Sequence, residues 1–86
     1  MLRVTVTRTG RIAELRVEGS LTRPASGELW KECRRQTAAC RRLRLDLSGV
    51  TRVDEASVER LKRMVCNGAE IVRASLLLAA LLDADP

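Results

Sequence analysis

The stretch LRLDLSGVTRVDEASVERL, residues 43–61, decides the fold because two different hydrophobic periods meet within it. Its first five residues alternate between leucine and a charged residue, which is the pattern of a strand with one buried side. Ser48-Gly49 favours a turn after this strand. From Val58 onward apolar residues recur at helical spacing, so a helix is expected to follow.

The junction between this strand and helix carries its own signals. The carboxylate of Asp54 can cap the helix by accepting a hydrogen bond from the backbone N–H of Ser57. Asn67-Gly68 marks the end of the same helix, because glycine tolerates the left-handed backbone that often follows a last turn. The apolar stripe of this helix is predicted to consist of Val58, Leu61, Met64 and Val65.

The flanking segments extend the α/β pattern in both directions. LRVTVT and RIAELRVEG alternate with period two around Arg8-Thr9-Gly10, which predicts an N-terminal β-hairpin. Pro24 suits the start of a first helix. AEIVRA predicts a fourth strand, and Ser75 can cap a last helix. The expected fold class is α/β, with a four-stranded, mostly parallel sheet and helices following the second, third and fourth strands.

A single domain is expected over residues 1–86, because a chain of this length seldom supports two cores. Strands are predicted near residues 2–7, 11–17, 43–47 and 70–74. Burial is predicted for Leu45, Leu61, Val65 and Ile71.

The composition indicates a globular chain with an aliphatic core, since 45% of residues are apolar and Trp30 is the single aromatic residue. The net charge is +5, and six basic residues against one acidic residue lie between Lys31 and Arg44. A basic patch can attract nucleic acid, anionic lipid or an acidic protein face. Single-strand binding also requires stacking aromatics. Nucleic-acid binding through residues 31–44 is therefore kept only as an alternative.

The sequence disfavours several classes of function. No cofactor and no metal site are expected, since the chain has no histidine and its cysteines show no C-x-x-C spacing. Cys33, Cys40 and Cys66 are interpreted as small buried thiols. Met1 leads directly into a strand pattern, and the longest apolar run, residues 76–82, is too short to span a bilayer. The chain is expected to be cytoplasmic.

The central stretch, with VEGSLTRPASGELW upstream and NGAEIVRAS downstream, resembles the STAS domain, the fold of the anti-sigma factor antagonists. In regulatory members of that family, a serine or threonine just after the acidic residue at the start of the second helix is phosphorylated. The unphosphorylated domain binds a kinase-like anti-sigma factor, and phosphorylation releases it. The resemblance implies a bacterial transcription regulator that acts by protein binding in signalling, and not an enzyme.

This sequence departs from the family at the switch itself. The family's Asp-Ser-Ser-Gly corresponds here to Asp54-Glu55-Ala56-Ser57, so Ala56, which has no hydroxyl, occupies the acceptor position. Ser57 is an alternative acceptor, although it is interpreted more simply as a first-turn residue. Phosphorylation is therefore not expected at the family position. The chain looks nearest to members with an Asp-Glu-Ala start to the second helix.

The resemblance implies that the partner-binding residues lie where the chain enters the second helix and on the outer side of that helix. The candidate contacts are Ser48, Thr51, Asp54, Glu55, Ala56, Ser57, Glu59 and Arg60. The expected partner is a kinase-like anti-sigma factor or a related signalling protein. The alternative is an accessory STAS subunit that binds the nucleotide-binding subunit of a lipid-type ABC transporter.

Asp46 and Asp54 are two carboxylates that could support acid–base or Mg²⁺ chemistry. No nucleophile, histidine or phosphate-binding loop accompanies them in the sequence, so no catalytic residue is predicted. The favoured interpretation is that Asp54 caps a helix and that Asp46 fixes the strand-to-helix turn through hydrogen bonds.

The last helix has seven consecutive apolar residues, 76–82. They cannot all face one sheet, because a helix turns about 100° per residue. One side of this helix is predicted to meet another protein, most simply a second copy of the chain. The candidate self-association residues are Leu76, Leu77 and Leu81.

Overall fold

The elements follow one another in the predicted order, β-β-α-β-α-β-α. The structure is a computed structural model that describes residues 2–39 and 42–83. The strands are β1 (Leu2–Thr9), β2 (Ile12–Leu21), β3 (Arg42–Val53) and β4 (Glu70–Ala74), and the helices are α1 (Arg23–Ala39), α2 (Glu55–Cys66) and α3 (Leu76–Asp83). This arrangement confirms the expected α/β fold class.

The four strands lie side by side in the order β1-β2-β3-β4. β1 pairs antiparallel with β2 and forms the predicted hairpin, in which Gly10 takes a left-handed φ of 62°. β3 pairs in parallel with both β2 and β4. Crossovers between parallel strands are right-handed, so successive crossovers in one direction place α1 and α2 on the same face of the sheet.

The core lies between this face and the helices. Its sheet side consists of alternating buried residues of the two central strands, namely Ala13, Leu15, Val17, Leu21, Leu43, Leu45 and Leu47. Leu29 and Cys33 of α1, Leu61 and Met64 of α2, and Leu78 of α3 belong to the same cluster. Full burial of one such leucine stabilises the fold by about 1.5–3 kcal/mol. The predicted aliphatic core is confirmed.

The prediction of a turn at Ser48-Gly49 is wrong, because β3 continues to Val53, although its pairing with β2 shifts in register between Asp46 and Gly49. β2 is also longer than predicted, and the two strands stay paired to their last residues. A Cβ atom on Gly49 would lie 2.8 Å from Cγ of Glu18 and 3.2 Å from the carbonyl oxygen of Val17. Glycine at position 49 therefore permits the close approach of β2 and does not make a turn.

Two of the four predicted buried positions, Leu45 and Leu61, are confirmed at 0% and 1% exposure. Val65 is 43% exposed, so its predicted burial is wrong. Val58, two turns earlier on nearly the same side of α2, is buried. On this side of α2, the packing against neighbouring elements therefore ends before the last turn of the helix. Ile71 is only partly buried because β4 is an edge strand.

The cysteines differ from one another in their surroundings. Cys33 is buried as predicted, and its thiol lies 3.9 Å from the sulfur of Met64. Burial, with a smaller effect of the neighbouring Glu32 charge, raises the pKa of Cys33 to about 11. Cys66 is exposed, which corrects the prediction of a buried thiol. Cys40 lies outside the described residues.

Candidate partner-binding surface

The starts of α1 and α2 lie side by side at one end of the sheet. β2 and β3 run in parallel, and their last residues, Leu21 and Val53, are paired in register. The backbone N–H of Asp54 donates to the carbonyl of Leu21 over 3.3 Å, which fixes the chain as it leaves β3. Each helix follows its strand at this end, so the positive ends of both helix dipoles come together here.

Asp54 caps both helices with one carboxylate. Its Oδ1 accepts a hydrogen bond from the backbone N–H of Ser57 over 2.8 Å, which confirms the predicted N-cap of α2. Its Oδ2 accepts from the backbone N–H of Arg23, in the first turn of α1, also over 2.8 Å. First-turn N–H groups have no acceptor within their own helix, so one side chain satisfies a donor of each.

Hydrogen-bond donors keep the Asp54 carboxylate ionised. The pKa of Asp54 is lowered first by the hydroxyl of Ser57, then by the Ser57 N–H, and less by the Arg23 N–H. The hydroxyl lies beside the carboxylate without completing a hydrogen bond of normal geometry. A negative charge is therefore fixed where the helix dipoles favour one.

The residues around this cap differ in exposure. Glu55, Ala56 and Glu59 are exposed on α2, and Arg60 is half-buried. With the half-buried Asp54, these residues define what we call the α2 entry surface. Ser57 is fully buried, so its side chain is not exposed for direct contact, and its backbone N–H donates to Asp54.

Thr51 and Ser48 are exposed on β3. Ser48 belongs to the other side of the sheet, because its hydroxyl donates to Asp46 and because side chains alternate along a strand whose leucines face the helices. The structure therefore places Ser48 apart from the α2 entry surface. Thr51 lies three positions before Asp54, on the segment that enters α2.

Asp46 is held by Ser48 within β3. Its Oδ1 accepts from the Ser48 N–H over 3.0 Å and from the Ser48 hydroxyl over 2.7 Å. The Ser48 hydroxyl and then its N–H lower the pKa of Asp46, and the positive charges of Arg73 and Arg16 lower it further. The predicted hydrogen-bonding role of Asp46 is confirmed, although it fixes a strand and not a turn.

The basic segment 31–44 does not form one continuous patch in its described part. Lys31, Arg34 and Arg35 belong to α1, whereas Arg42 and Arg44 alternate with the buried leucines of β3 and so face the opposite side of the sheet. Arg42 also pairs with a carboxylate, that of Glu70, at 3.0 Å. This division weakens the nucleic-acid alternative, because a backbone-binding patch needs its charges on one surface.

The sequence-based prediction missed a groove between α1 and α2. Trp30 lines two adjoining cavities of about 350 and 320 Å³. We call them together the Trp30 groove, and they are lined by Trp30, Cys33, Arg34, Thr37, Leu43, Ala56, Glu59, Arg60, Arg63, Met64, Asn67 and Ala69. The signal available in the sequence was Trp30, the single aromatic residue, in a segment that also carries Arg34 and Arg35.

The leucines of α3 divide into a buried and an exposed set. Leu78 is 2% exposed, and Leu82 packs partly buried against the core. Leu76, Leu77 and Leu81 are 92%, 70% and 37% exposed. The prediction that these leucines cannot all face the sheet is confirmed.

Two kinds of site are absent from residues 2–39 and 42–83, the described part of the chain. These residues contain no group of three or more histidine, cysteine or acidic side chains that could hold a metal ion. Over the same ranges, no helix combines the length and the apolar character needed to cross a bilayer.

The fold is that of an STAS-type domain, and the comparison with protein families agrees. The family model described as "Mlab, STAS domain" matches residues 4–84. The chain therefore belongs to this STAS domain family, which consists of regulatory and interaction modules. No curated protein sequence matches the chain closely enough to count as a relative.

Solved structures show the same fold. The chain is similar to an antisigma-factor antagonist STAS domain from Rhodobacter sphaeroides, with 25% identity, a TM-score of 0.67 and 96% of each chain covered. It is also similar to the anti-sigma factor antagonist SpoIIAA in its unphosphorylated form, with 15% identity, a TM-score of 0.73 and coverage of 98% of this chain and 84% of that one.

A third similarity is to a much longer protein. The Mglu structure matches 83% of this chain at 19% identity with a TM-score of 0.63. The chain spans only 19% of the length of Mglu, so this likeness concerns the fold of one part of that protein.

Proposed function

We propose that this chain is a cytoplasmic protein-docking module that binds its partner through the α2 entry surface and has no phosphorylation switch at the start of α2. The observation that carries the proposal is the chemistry of the first turn of that helix. Glu55 has a carboxylate, Ala56 has no polar group, and the hydroxyl of Ser57 is buried. A kinase would find no exposed hydroxyl among these three residues.

The start of α2 carries permanent negative charge in place of a phosphate that could be added and removed. A phosphate at a helix start adds a charge of about −2, which can break a packed interface. Here Glu55 and the ionised Asp54 supply fixed negative charge at the same end of α2. A partner that binds this surface must accept that charge in every state of the domain. Docking therefore does not depend on phosphorylation in the first turn of α2.

Two classes of partner fit such a module. The likeness to the anti-sigma factor antagonists favours a kinase-like anti-sigma factor or a related signalling protein. The second candidate is the nucleotide-binding subunit of a lipid-type ABC transporter, with this chain as its accessory STAS subunit. The lack of an exposed hydroxyl in the first turn favours this second candidate, because a permanent subunit does not need a release switch.

Affinity capture with matched variants tests the docking surface. Ala56→Arg places a long cation at the centre of the α2 entry surface while keeping a good helix former. Thr5→Arg makes the same kind of addition on β1, where residue 5 is also exposed. The wild-type chain and Thr5→Arg are expected to retain the same partner from a lysate of the source cell, and Ala56→Arg is expected to lose it. Equal retention by all three would refute docking through this surface.

A further inference from the structure

The Trp30 groove combines an apolar floor with a basic rim. Four residues of the floor, Cys33, Leu43, Met64 and Ala69, are between 3% and 8% exposed and belong to the hydrophobic core. Trp30 stands half-buried between the two cavities. A half-buried tryptophan beside an apolar cavity is the type of residue that supplies much of the binding free energy in protein interfaces.

The rim is positively charged. Arg34 lies on the α1 side, and Arg60 and Arg63 lie on the α2 side. None of the three is within ion-pair distance of a carboxylate among the described residues. The guanidinium of Arg60 lies 5.9 Å from the centre of the Trp30 ring, which holds it at the groove by a cation–π contact.

The one acidic residue that lines the two cavities does not cancel this charge. The Glu59 carboxylate lies 3.9 Å from the ammonium of Lys62, so its charge is already partly balanced by a neighbour on α2. Three arginines against one partly balanced carboxylate leave the groove with a net positive charge. Electrostatic complementarity then requires an acidic occupant.

We propose that the Trp30 groove binds an acidic segment of the protein partner, with one apolar side chain inserted beside Trp30 and carboxylates placed on Arg34 and Arg63. The larger cavity, about 350 Å³, has room for a leucine-sized side chain and lies next to the tryptophan. The second cavity continues along α2 as far as Ala56, where the negative charge of the α2 entry surface begins, so the acidic segment stays within the groove. This inference rests on the proposed function, since it describes further chemistry of the same partner.

The fluorescence of Trp30 reports binding in the groove, because Trp30 is the single tryptophan of the chain. The probe is a synthetic amphipathic peptide of about four helical turns, with leucine on one face and glutamate on the other. Its control has lysine in place of every glutamate. The purified chain is expected to show a saturable change in tryptophan fluorescence with the acidic peptide and none with the lysine peptide. The acidic peptide should also bind more weakly as salt is raised.

Charge-reversal variants locate the binding site. Arg34→Glu and Arg63→Glu, on two different helices, are each expected to raise the dissociation constant for the acidic peptide by roughly tenfold or more. Arg3→Glu makes the same change of charge on exposed β1, away from the groove, and is expected to stay within about twofold of wild type. Circular dichroism confirms that each variant is folded. If one groove variant unfolds, the other, on a separate helix, still decides the question.

Several results would overturn the inference. They are the absence of a saturable change with the acidic peptide, equal binding of the lysine peptide, or an effect of Arg3→Glu as large as that of the groove variants. A fluorescence change that depends on protein concentration alone would indicate a second copy of the chain as the occupant. A response to phosphatidylglycerol vesicles but not to the acidic peptide would indicate lipid. Ala56 also lines the groove, so the groove is judged only by the peptide and the Arg34→Glu and Arg63→Glu variants. Loss of capture by Ala56→Arg together with no binding of the acidic peptide would overturn the groove inference and leave docking on the α2 entry surface standing.

Discussion

Asp54 joins two elements that are distant in sequence, because its carboxylate accepts from the first turn of α1 and from the first turn of α2. The contact with Ser57 could be predicted, since an N-cap is a local feature that joins residues three positions apart. The contact with Arg23 could not, since it spans 31 positions and depends on the parallel pairing of β2 with β3. The same pairing explains why local turn propensity at Ser48-Gly49 was misleading.

Acidification is expected to destabilise the chain through Asp46 and Asp54, because both carboxylates have a lowered pKa in the folded state. The unfolded chain then binds more protons than the folded chain in acid. The two carboxylates stabilise the folded chain fully above the ordinary aspartate pKa of about 3.9. This stabilisation is lost as the pH falls through their lower pKa in the folded state. Urea unfolding across this range measures the effect. Asp54→Asn should flatten the pH dependence, and a slope unchanged from wild type would contradict this role of Asp54.

Gly49→Ala is expected to destabilise the chain by roughly 1–3 kcal/mol, because the added methyl group meets the backbone of β2 and the side chain of Glu18. Gly27→Ala is the matched control within α1, where nothing lies within 4 Å of the added atom. That change should stabilise by roughly 0.5–1 kcal/mol, since alanine is the better helix former. Chemical denaturation of both variants measures the change in the free energy of unfolding, which should be a decrease for Gly49→Ala and an increase for Gly27→Ala. A loss of stability in Gly27→Ala as large as in Gly49→Ala would show that the close approach at Gly49 is not the cause.

At the scale of elements, periodicity predicted which helices and strands exist but not how far each is covered. The apolar stripe of α2 includes Val65 by spacing, yet the neighbouring elements leave that residue 43% exposed. The leucines of α3 show the converse case, where seven apolar residues in a row already implied an exposed side. Whether an apolar side chain is buried depends on the elements that pack against it. A pattern within one helix can therefore show that some apolar residues are exposed, but it does not identify the surface that packs on them.

Self-association through α3 is a prediction at this scale. Residues 76–82 carry no charge, so two copies of a chain with net charge +5 can meet there without bringing like charges together. The wild-type chain is expected to form a dimer at high concentration in sedimentation experiments. Leu77→Lys should remain monomeric, while Val6→Lys, on exposed β1, should dimerise like wild type. A wild-type chain that stays monomeric over the whole series would contradict the prediction.

At the scale of the whole molecule, the two faces of the sheet have different chemistry. The helical face carries the α2 entry surface and the Trp30 groove. The face of the sheet opposite the helices carries two rows of alternating charge across β2, β3 and β4. One row pairs Arg16, Asp46 and Arg73 in register, and the other pairs Glu14, Arg44 and Glu70. Opposite charges across strands stabilise a solvated sheet surface. The asymmetry supports placing the partner on the helical face.

The sequence predicted the fold and the departure at Ala56 because both depend on residue order and on a local motif. The groove was not predictable from these, since Trp30 and Arg63 lie on different helices and are brought together only by the packing of α1 on α2. The Ser57 hydroxyl shows the same limit. Its position in the motif left an alternative phosphate acceptor open beside the favoured first-turn role, and its complete burial becomes visible only in the folded chain.

The central claim is that the partner docks on α2 without a phosphorylation switch there. The most direct test is to incubate the captured partner and the purified chain with ATP, and then to measure the intact mass of the chain and the amount of partner still bound. The account predicts an unchanged mass, no phosphate on residues 54–58, and full retention of the partner. A gain of one phosphate mapped to Ser57, with release of the partner, would contradict it and would show that the switch has moved by one position.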